Sequence, residues 1–519
     1  MNDSIEDLAS RLAHRGVKYA FGVTGSGPSL ALITALDSRS VKYFPAAHEA
    51  SAAIMAGAAS AVTGGTEVSI SIRGPGFANM LPGIINNFYE NRPALSISEC
   101  LSGDVPAWRA HKRLDHRALV EPIVKTRTAL DDVPRSLDAV LDYAKEETPG
   151  PVHLDLCART SRDDSVRAPT PTAGRHRDKS ATNALSLVEA AHRPVVIAGS
   201  FAARRGLADR LASLQLPIFT TAAAKGLVDE SGDYSAGVFT GDGKRLSPEA
   251  SILKEADLVI GIGLRVAELL SPKPFGVPTL LLDVARDAAA DALATDLVLA
   301  DGELFEQVLA TLASGRWGAE QIAEAKAALS AKLLDGGWLP AACFNILNQL
   351  PQNHMLVLDT GSFCTIGEHV WNASRGRPFL ASSNSRYMGT AIPTAIGASI
   401  ANRETPVICV VGDGGMRMYP AELKLAVKEQ LPICIILMTD GLYGSVACVP
   451  QAFQVNPRAV EIDQPTWFDS VAGMGCAAAI VENESEFDDA VRSWDQQQPL
   501  FLESPFDPGR YAGMTSDLR

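Results

Sequence analysis

The sequence predicts an α/β protein of three domains, each a parallel sheet flanked by helices, and three observations predict it. Short apolar runs recur at Val68–Ile72, Val195–Ile197, Leu258–Ile262, Thr279–Leu282, Val407–Val411 and Ile433–Met438, each bounded by Gly, Pro or charge. Strands apolar on both faces belong to parallel sheets with helices on either side. Ala-rich stretches of helical spacing, such as Glu49–Val62 and Pro420–Glu429, alternate with these runs, which is the rhythm of α/β domains. At 519 residues the chain is also too long for one ordinary core.

Two composition shifts divide it. Residues Ala158–Asn183 are polar and charged and carry two prolines, the composition of an exposed connector. A second boundary falls at Gly336-Gly337-Trp338-Leu339-Pro340, after a charged Ala-rich helix. The domains expected are therefore 1–165, 180–335 and 340–519, the first and third sharing one strand–helix rhythm.

A hydrophobic content of 46% with 20% charged residues is that of a soluble globular protein. The formal charge of −14 argues against a nucleic-acid or anionic-membrane partner. No apolar run is long enough to span a bilayer, and the N-terminal Met-Asn-Asp-Ser-Ile-Glu-Asp lacks the apolar core of a signal peptide. The expected location is cytoplasmic. The eight cysteines include no C-x-x-C pair and mostly sit among apolar neighbours, so reduced, buried thiols are expected.

Chemistry concentrates between Val407 and Ser445. The run V-I-C-V-V ends in Gly412-Asp413-Gly414-Gly415, a helical stretch is expected from about Tyr419, and I-C-I-I-L-M ends in Thr439-Asp440-Gly441-Leu442-Tyr443-Gly444. An oxygen ligand thus stands at the carboxyl end of two successive strands, where ligands of open α/β sheets bind. Glycines let backbone N–H groups approach phosphate oxygens, and magnesium takes carboxylates together with substrate phosphates. Asp413 and Asp440 are a magnesium pair if their strands are neighbours. Gly241-Asp242-Gly243 has neither a preceding strand nor a partner acid and reads as a loop.

The pattern resembles the thiamine-diphosphate fingerprint, G-D-G followed one strand later by Asn, with Asp440 in the position of the Asn. By that resemblance Gly412, Asp413, Gly414, Gly415 and Tyr443 line a diphosphate site, and the Leu442 carbonyl joins Asp413 and Asp440 on Mg2+. His48-Glu49-Ala50-Ser51-Ala52-Ala53 resembles the family's H-E-x-x-A element, which makes Glu49 the acid at the aminopyrimidine of thiamine diphosphate. Asp359-Thr360-Gly361-Ser362 resembles a diphosphate-contacting loop, with Gly361 and Ser362 at the cofactor. Tyr387-Met388-Gly389 resembles the M-G segment of acetohydroxyacid synthases, which implies Met388 as a wedge under the cofactor and the Arg386 carbonyl and Met388 N–H on its pyrimidine. Phe21-Gly22-Val23-Thr24-Gly25-Ser26 resembles the first strand-to-loop turn, with Ser26 toward substrate. Ile72-Arg73-Gly74-Pro75-Gly76 resembles an S-G-P-G loop in which Arg73 replaces a small residue. Arg73 either selects an anionic substrate or anchors the loop.

The whole chain is similar to the acetohydroxyacid synthase and pyruvate decarboxylase group. The resemblance implies a pyrimidine-binding first domain, a central Rossmann-like domain and a diphosphate-binding third domain. It implies decarboxylation of a 2-oxo acid and a homo-oligomer with active sites at the subunit interface. The expected function is a specialised carboligase, joining the remaining carbon unit to an aldehyde or a second 2-oxo acid. The alternatives are a decarboxylase releasing aldehyde and an idle cofactor-binding protein of the same fold. No His-His pair of the decarboxylase type occurs, but His111 and His116 lie in R-A-H-K-R-L-D-H-R, where either is a candidate general acid or part of a solvated basic loop. Some relatives hold FAD or ADP in the central domain, and no residue here secures either; a dehydrogenase lacks its G-x-G-x-x-G.

Overall fold

A computed structural model describes residues 2–101, 105, 110–157, 181–284, 293, 296–299, 302–351, 353–447, 456–462, 466–511, 514–515 and 517–518. Its eighteen named strands form three six-stranded sheets. The first holds β1 (Tyr19–Gly22), β2 (Lys42–Pro45), β3 (Val68–Ser71), β4 (Leu95–Glu99), β5 (Arg127–Ala129) and β6 (Val152–Leu156). The second holds β7 (Pro194–Ala198), β8 (Ile218–Thr220), β9 (Ser235–Val238), β10 (Leu258–Ile262), β11 (Thr279–Asp283) and β12 (Asp296–Leu299). The third holds β13 (Met355–Leu358), β14 (Phe379–Ala381), β15 (Val407–Gly412), β16 (Ile433–Thr439), β17 (Ala477–Ile480) and β18 (Leu500–Pro505). Neighbouring strands pair in parallel, for example β15 with β16 from Val407↔Ile433 to Gly412↔Met438. The predicted α/β class with parallel sheets is the class observed.

The first sheet runs β2-β1-β3-β4-β6-β5 and the third β14-β13-β15-β16-β18-β17. The two orders are the same, which gives structural content to their shared rhythm. The middle sheet runs β12-β11-β10-β7-β8-β9, the doubly wound nucleotide-binding order. The inner switch of strand order falls between β1 and β3, between β7 and β10, and between β13 and β15. Loops that leave such a switch point diverge and open a crevice at the carboxyl edge.

The first and third domains share one hydrophobic cluster, in which Met55, Ala56 and Ala59 of the Glu49–Thr63 helix meet Ile392, Ala395 and Ile396 of the Ala391–Ala401 helix. The approach is close because Gly397 has no side chain: a Cβ there would lie 2.3 Å from the Met55 carbonyl oxygen. Backbone cannot yield as a side chain does, so Gly397→Ala is expected to cost about 1–3 kcal/mol or more. Chemical denaturation checks it as a lowered midpoint at unchanged slope.

The expectation of eight reduced thiols is overturned at one pair. Cys100 and Cys157 form a disulfide with Cα atoms 5.4 Å apart. They leave β4 and β6 one residue beyond the paired Glu99 and Leu156, a neighbourhood that only the strand order creates. Cys343, Cys364, Cys409, Cys434 and Cys476 are buried thiols outside any disulfide among the described residues; Cys448 lies outside the described residues, as does most of the connector 158–183. Gly336–Pro340 separates the Ala319–Leu334 and Pro340–Asn348 helices. No helix among the described residues is long and apolar enough to cross a membrane.

Candidate active site

The third sheet's switch point opens a cleft of about 170 Å3 lined by Gly361, Ser362, Met388, Gly412–Gly415, Asp440, Leu442 and Tyr443 among others. All of its lining residues come from the third domain. Helix begins at once on Asp413 (Asp413–Met416) rather than near Tyr419, where a 3-10 turn at Pro420–Glu422 leads into Leu423–Lys428. Asp413 is buried, and its Oδ2 accepts from the Asp440 N–H at 2.9 Å and the Gly441 N–H at 3.0 Å. Asp440 Oδ1 accepts from the Leu442 N–H at 3.0 Å, closing the turn. The Leu442 carbonyl accepts no hydrogen bond among the described residues. Two carboxylates and an uncommitted carbonyl thus meet at one mouth, a donor set entirely of oxygen, as Mg2+ requires.

Burial, with the Asp413 carboxylate beside it, pushes the Asp440 carboxyl up to about 6. A carboxyl raised from 3.8 to about 6 on folding stabilises the fold while protonated, and that contribution is lost as pH rises through this window. Thermal melts in EDTA are therefore expected to show wild type losing stability between about pH 4 and 6 more steeply than Asp440→Asn. Equal slopes would mean that neither burial nor the Asp413 carboxylate raises Asp440.

Met388 lies on a loop fastened from below. The Asp359 carboxylate, buried at the end of β13, accepts the Gly389 N–H at 2.9 Å and the Thr360 N–H at 2.8 Å. Burial raises its pKa to about 7 against these donors. Gly415 must be glycine, because a Cβ there would lie 2.0 Å from Asp359 Oδ2. Arg386 has left-handed backbone (φ 51°) and pairs through its guanidinium with Glu368. Among the described residues its carbonyl accepts no hydrogen bond and the Met388 N–H donates none. Both are free for a ligand's polar edge.

Glu49 is the first residue of the Glu49–Thr63 helix, 8% exposed, and accepts from Asn79 Nδ2 at 3.1 Å. The start of this helix is held from the third domain, a contact with no local signature. The buried Glu422 carboxylate accepts the Ala47 N–H at 3.0 Å, the His48 N–H at 3.1 Å and the Ser51 hydroxyl. Ser26 is exposed on the loop after β1. Arg73, after β3, lies 3.8 Å from Glu99, whose carboxylate also accepts the Ser29 N–H and hydroxyl at 2.9 and 2.6 Å. Arg73 and Glu99 therefore tie together the two loops that flank the first sheet's switch point. Glu49, Ser26 and Arg73 are absent from the third-domain cleft.

The two histidines part company. His111 is exposed, and its neighbour Lys112 packs where a Cβ on Gly74 would be. His116 is buried rather than in a solvated basic loop: its Nδ1 is 2.7 Å from Asp155 Oδ1 and its ring stacks 3.8 Å from Phe77. His153 reaches the same oxygen at 3.2 Å. These hydrogen bonds hold the Asp155 carboxyl well below the usual carboxylate range against the opposing effect of burial. The correction follows from strand order, since β6 carries His153 and Asp155 beneath the His116–Val120 helix.

At the central sheet's switch point the loops that follow β7 and β10 are joined through a buried carboxylate, Glu268. Glu268 accepts the Ser200 N–H at 3.0 Å and the Thr221 hydroxyl at 2.6 Å, and the next cation, Arg265, is paired with Asp283 and Glu147. Gly241-Asp242-Gly243 is a loop as expected, though β9 does precede it; its Gly241 and Gly243 N–H groups turn to Glu249 and that of Asp242 to the Thr240 hydroxyl.

Three domain models of thiamine pyrophosphate enzymes match the chain: the N-terminal TPP binding domain over residues 4–119, the central domain over 181–289 and the C-terminal TPP binding domain over 359–504. An acetolactate synthase of Bacillus subtilis is 25% identical, covering 99% of this chain and 95% of its own. A probable acetolactate synthase large subunit of Methanocaldococcus jannaschii is 26% identical over 85% of this chain and 80% of its own. A probable 2-ketoarginine decarboxylase of Pseudomonas aeruginosa is 26% identical over 95% and 92%.

Proposed function

This chain belongs to the thiamine pyrophosphate enzymes, in their acetolactate-synthase-like group, and from that premise we propose that it is a carboligase. It removes carbon dioxide from a 2-oxo acid and joins the remaining carbon unit to an aldehyde or a second 2-oxo acid. The observation that carries carboligation over simple decarboxylation is the fate of His116. A residue that hands a proton to product must reach it, whereas His116 is buried against Phe77 and committed to Asp155. The exposed His111 keeps aldehyde release as the second reading.

The residues fit the cofactor. Asp413, Asp440 and the Leu442 carbonyl would hold Mg2+, and Gly412, Gly414, Gly415, Gly361, Ser362 and Tyr443 would receive the diphosphate. The Arg386 carbonyl and the Met388 N–H would take the pyrimidine edge, with the Met388 side chain beneath the rings. When bound, thiamine diphosphate supplies the carbon nucleophile and the electron sink for loss of carbon dioxide. Glu49 holds the proton at the pyrimidine nitrogen, and its seat against Asn79 keeps it oriented. Ser26 faces substrate. Arg73, paired with Glu99, anchors the loop rather than standing free as an anion selector.

The family resemblance implies a site completed by the first domain of another copy in a homo-oligomer, and the absence of Glu49 from the third-domain cleft of its own chain is in keeping with that. Mixing equal amounts of Glu49→Gln and Asp413→Asn, with subunit exchange and at a cofactor concentration that leaves Asp413→Asn unloaded, should then restore about a quarter of the sites, since half the dimers are mixed and one of two sites in each carries neither change. No recovery after proven exchange would put both residues in one subunit's site.

Mass spectrometry of products tests the reaction itself. Protein, Mg2+ and thiamine diphosphate are incubated with a panel of 2-oxo acids, with and without aldehyde acceptors. Acyloins or acetohydroxy acids support carboligation. Free aldehyde alone under every acceptor would turn the reading to a decarboxylase, with His111 as the proton source to examine.

A further inference from the structure

A second cavity, of about 530 Å3, lies where the three domains meet and is distinct from the cofactor cleft. That volume is in the range of small-molecule sites, which favour domain interfaces. In a chain of formal charge −14, its wall carries Arg92, Lys145 and Arg204 against one carboxylate, Glu90. Glu90 is already committed: it accepts the N–H groups of Ser383, Asn384 and Ser385 at 3.0–3.1 Å. Arg204 is paired with Glu147. Arg92 is 6% exposed, gives one N–H to the Ala381 carbonyl at 3.2 Å, and has no acceptor for its Nη1 among the described residues. The Glu90 carboxylate acts on Arg92 across the cavity, but its oxygens are spent on backbone N–H groups, and a buried N–H with no acceptor is costly unless a further acceptor meets it. Lys145, exposed on the rim, makes no ion pair among the described residues.

The walls are the far ends of two elements that reach the candidate active site. Ser60, Ala61 and Gly64 end the helix that begins at Glu49. Ser383 and Asn384, gripped by Glu90, lead into Arg386 and Met388. A ligand in this cavity would therefore bear on both. Lys145 and Arg204 each stand in the last turn of a helix, where a cation complements the carboxyl terminus; that role accounts for neither the cavity nor the unpartnered Nη1 of the buried Arg92.

We propose that this cavity binds a small oxyanion, a phosphate or a dicarboxylate, as an effector that bridges the three domains. The binding stands independently of the catalytic reading above; any effect on turnover rests on it.

The test uses the full chain saturated with thiamine diphosphate and Mg2+, so that the cofactor cleft is filled. Calorimetry and thermal melts are run with inorganic phosphate and with succinate against chloride at equal ionic strength. Saturable binding of either anion is expected, phosphate alone marking an inorganic ligand and succinate alone a dicarboxylate. Affinity should fall at least tenfold in Lys145→Glu, a rim change that leaves the fold intact, and in Arg92→Gln. Binding indistinguishable from chloride, or undiminished in Lys145→Glu, would overturn the proposal.

Discussion

Glu49→Gln is expected to lower turnover by about 10²- to 10⁴-fold, the range a positioned acid–base group contributes. The substitution keeps the shape of the side chain and an oxygen for Asn79 Nδ2, the contact at 3.1 Å that seats it. It also leaves the helix start in place, because that is held by Glu422 through Ala47, His48 and Ser51 and not by Glu49 itself. The loss should accordingly appear in kcat with the melting temperature and cofactor affinity little changed. Steady-state carbon dioxide release is the measurement. Retained turnover in a correctly folded Glu49→Gln would remove Glu49 from the chemistry. An absence of turnover in wild type across a broad 2-oxo acid panel would instead favour an idle protein of this fold.

Asp413→Asn should act on the other half of the site, weakening Mg2+-dependent retention of thiamine diphosphate roughly 10- to 100-fold. That is the equivalent of about 1.5–3 kcal/mol for a hydrogen bond or contact to a charged group. The amide oxygen can still accept from the Asp440 and Gly441 N–H groups now at 2.9 and 3.0 Å, so the turn survives and the lost charge is what is measured. Equilibrium dialysis with and without Mg2+ checks it. Unchanged affinity would mean that the metal is held elsewhere. Asp440→Asn is the informative contrast, because it removes the buried charge that burial and the Asp413 carboxylate disfavour while leaving an oxygen ligand.

The parts of the site legible in the sequence are those built from one strand and the loop that follows it. Gly412-Asp413-Gly414-Gly415 and Asp440-Gly441-Leu442-Tyr443 were readable because β15 and β16 are adjacent, in register from Val407↔Ile433 onward. Glu49 was readable because its helix follows β2 directly. Arg73 left two options that local sequence had no means to separate. Glu99, which pairs with it, sits at the end of β4, and only the order β1-β3-β4 brings the loops of all three strands together.

The sequence by itself determined the α/β class, the apolar strands and the residue types at two strand ends, because strand burial and glycine-rich turns are written in contiguous residues. The tertiary structure alone decided that Cys100 and Cys157 bond, that His116 turns inward to Asp155, that Glu268 takes the Ser200 N–H and that Glu422 holds the Glu49 helix. Each of these joins residues distant in the chain through strand order or domain packing. The cost of leaving a buried carboxylate or N–H unpaired then fixes the partner, and no local pattern carries that information.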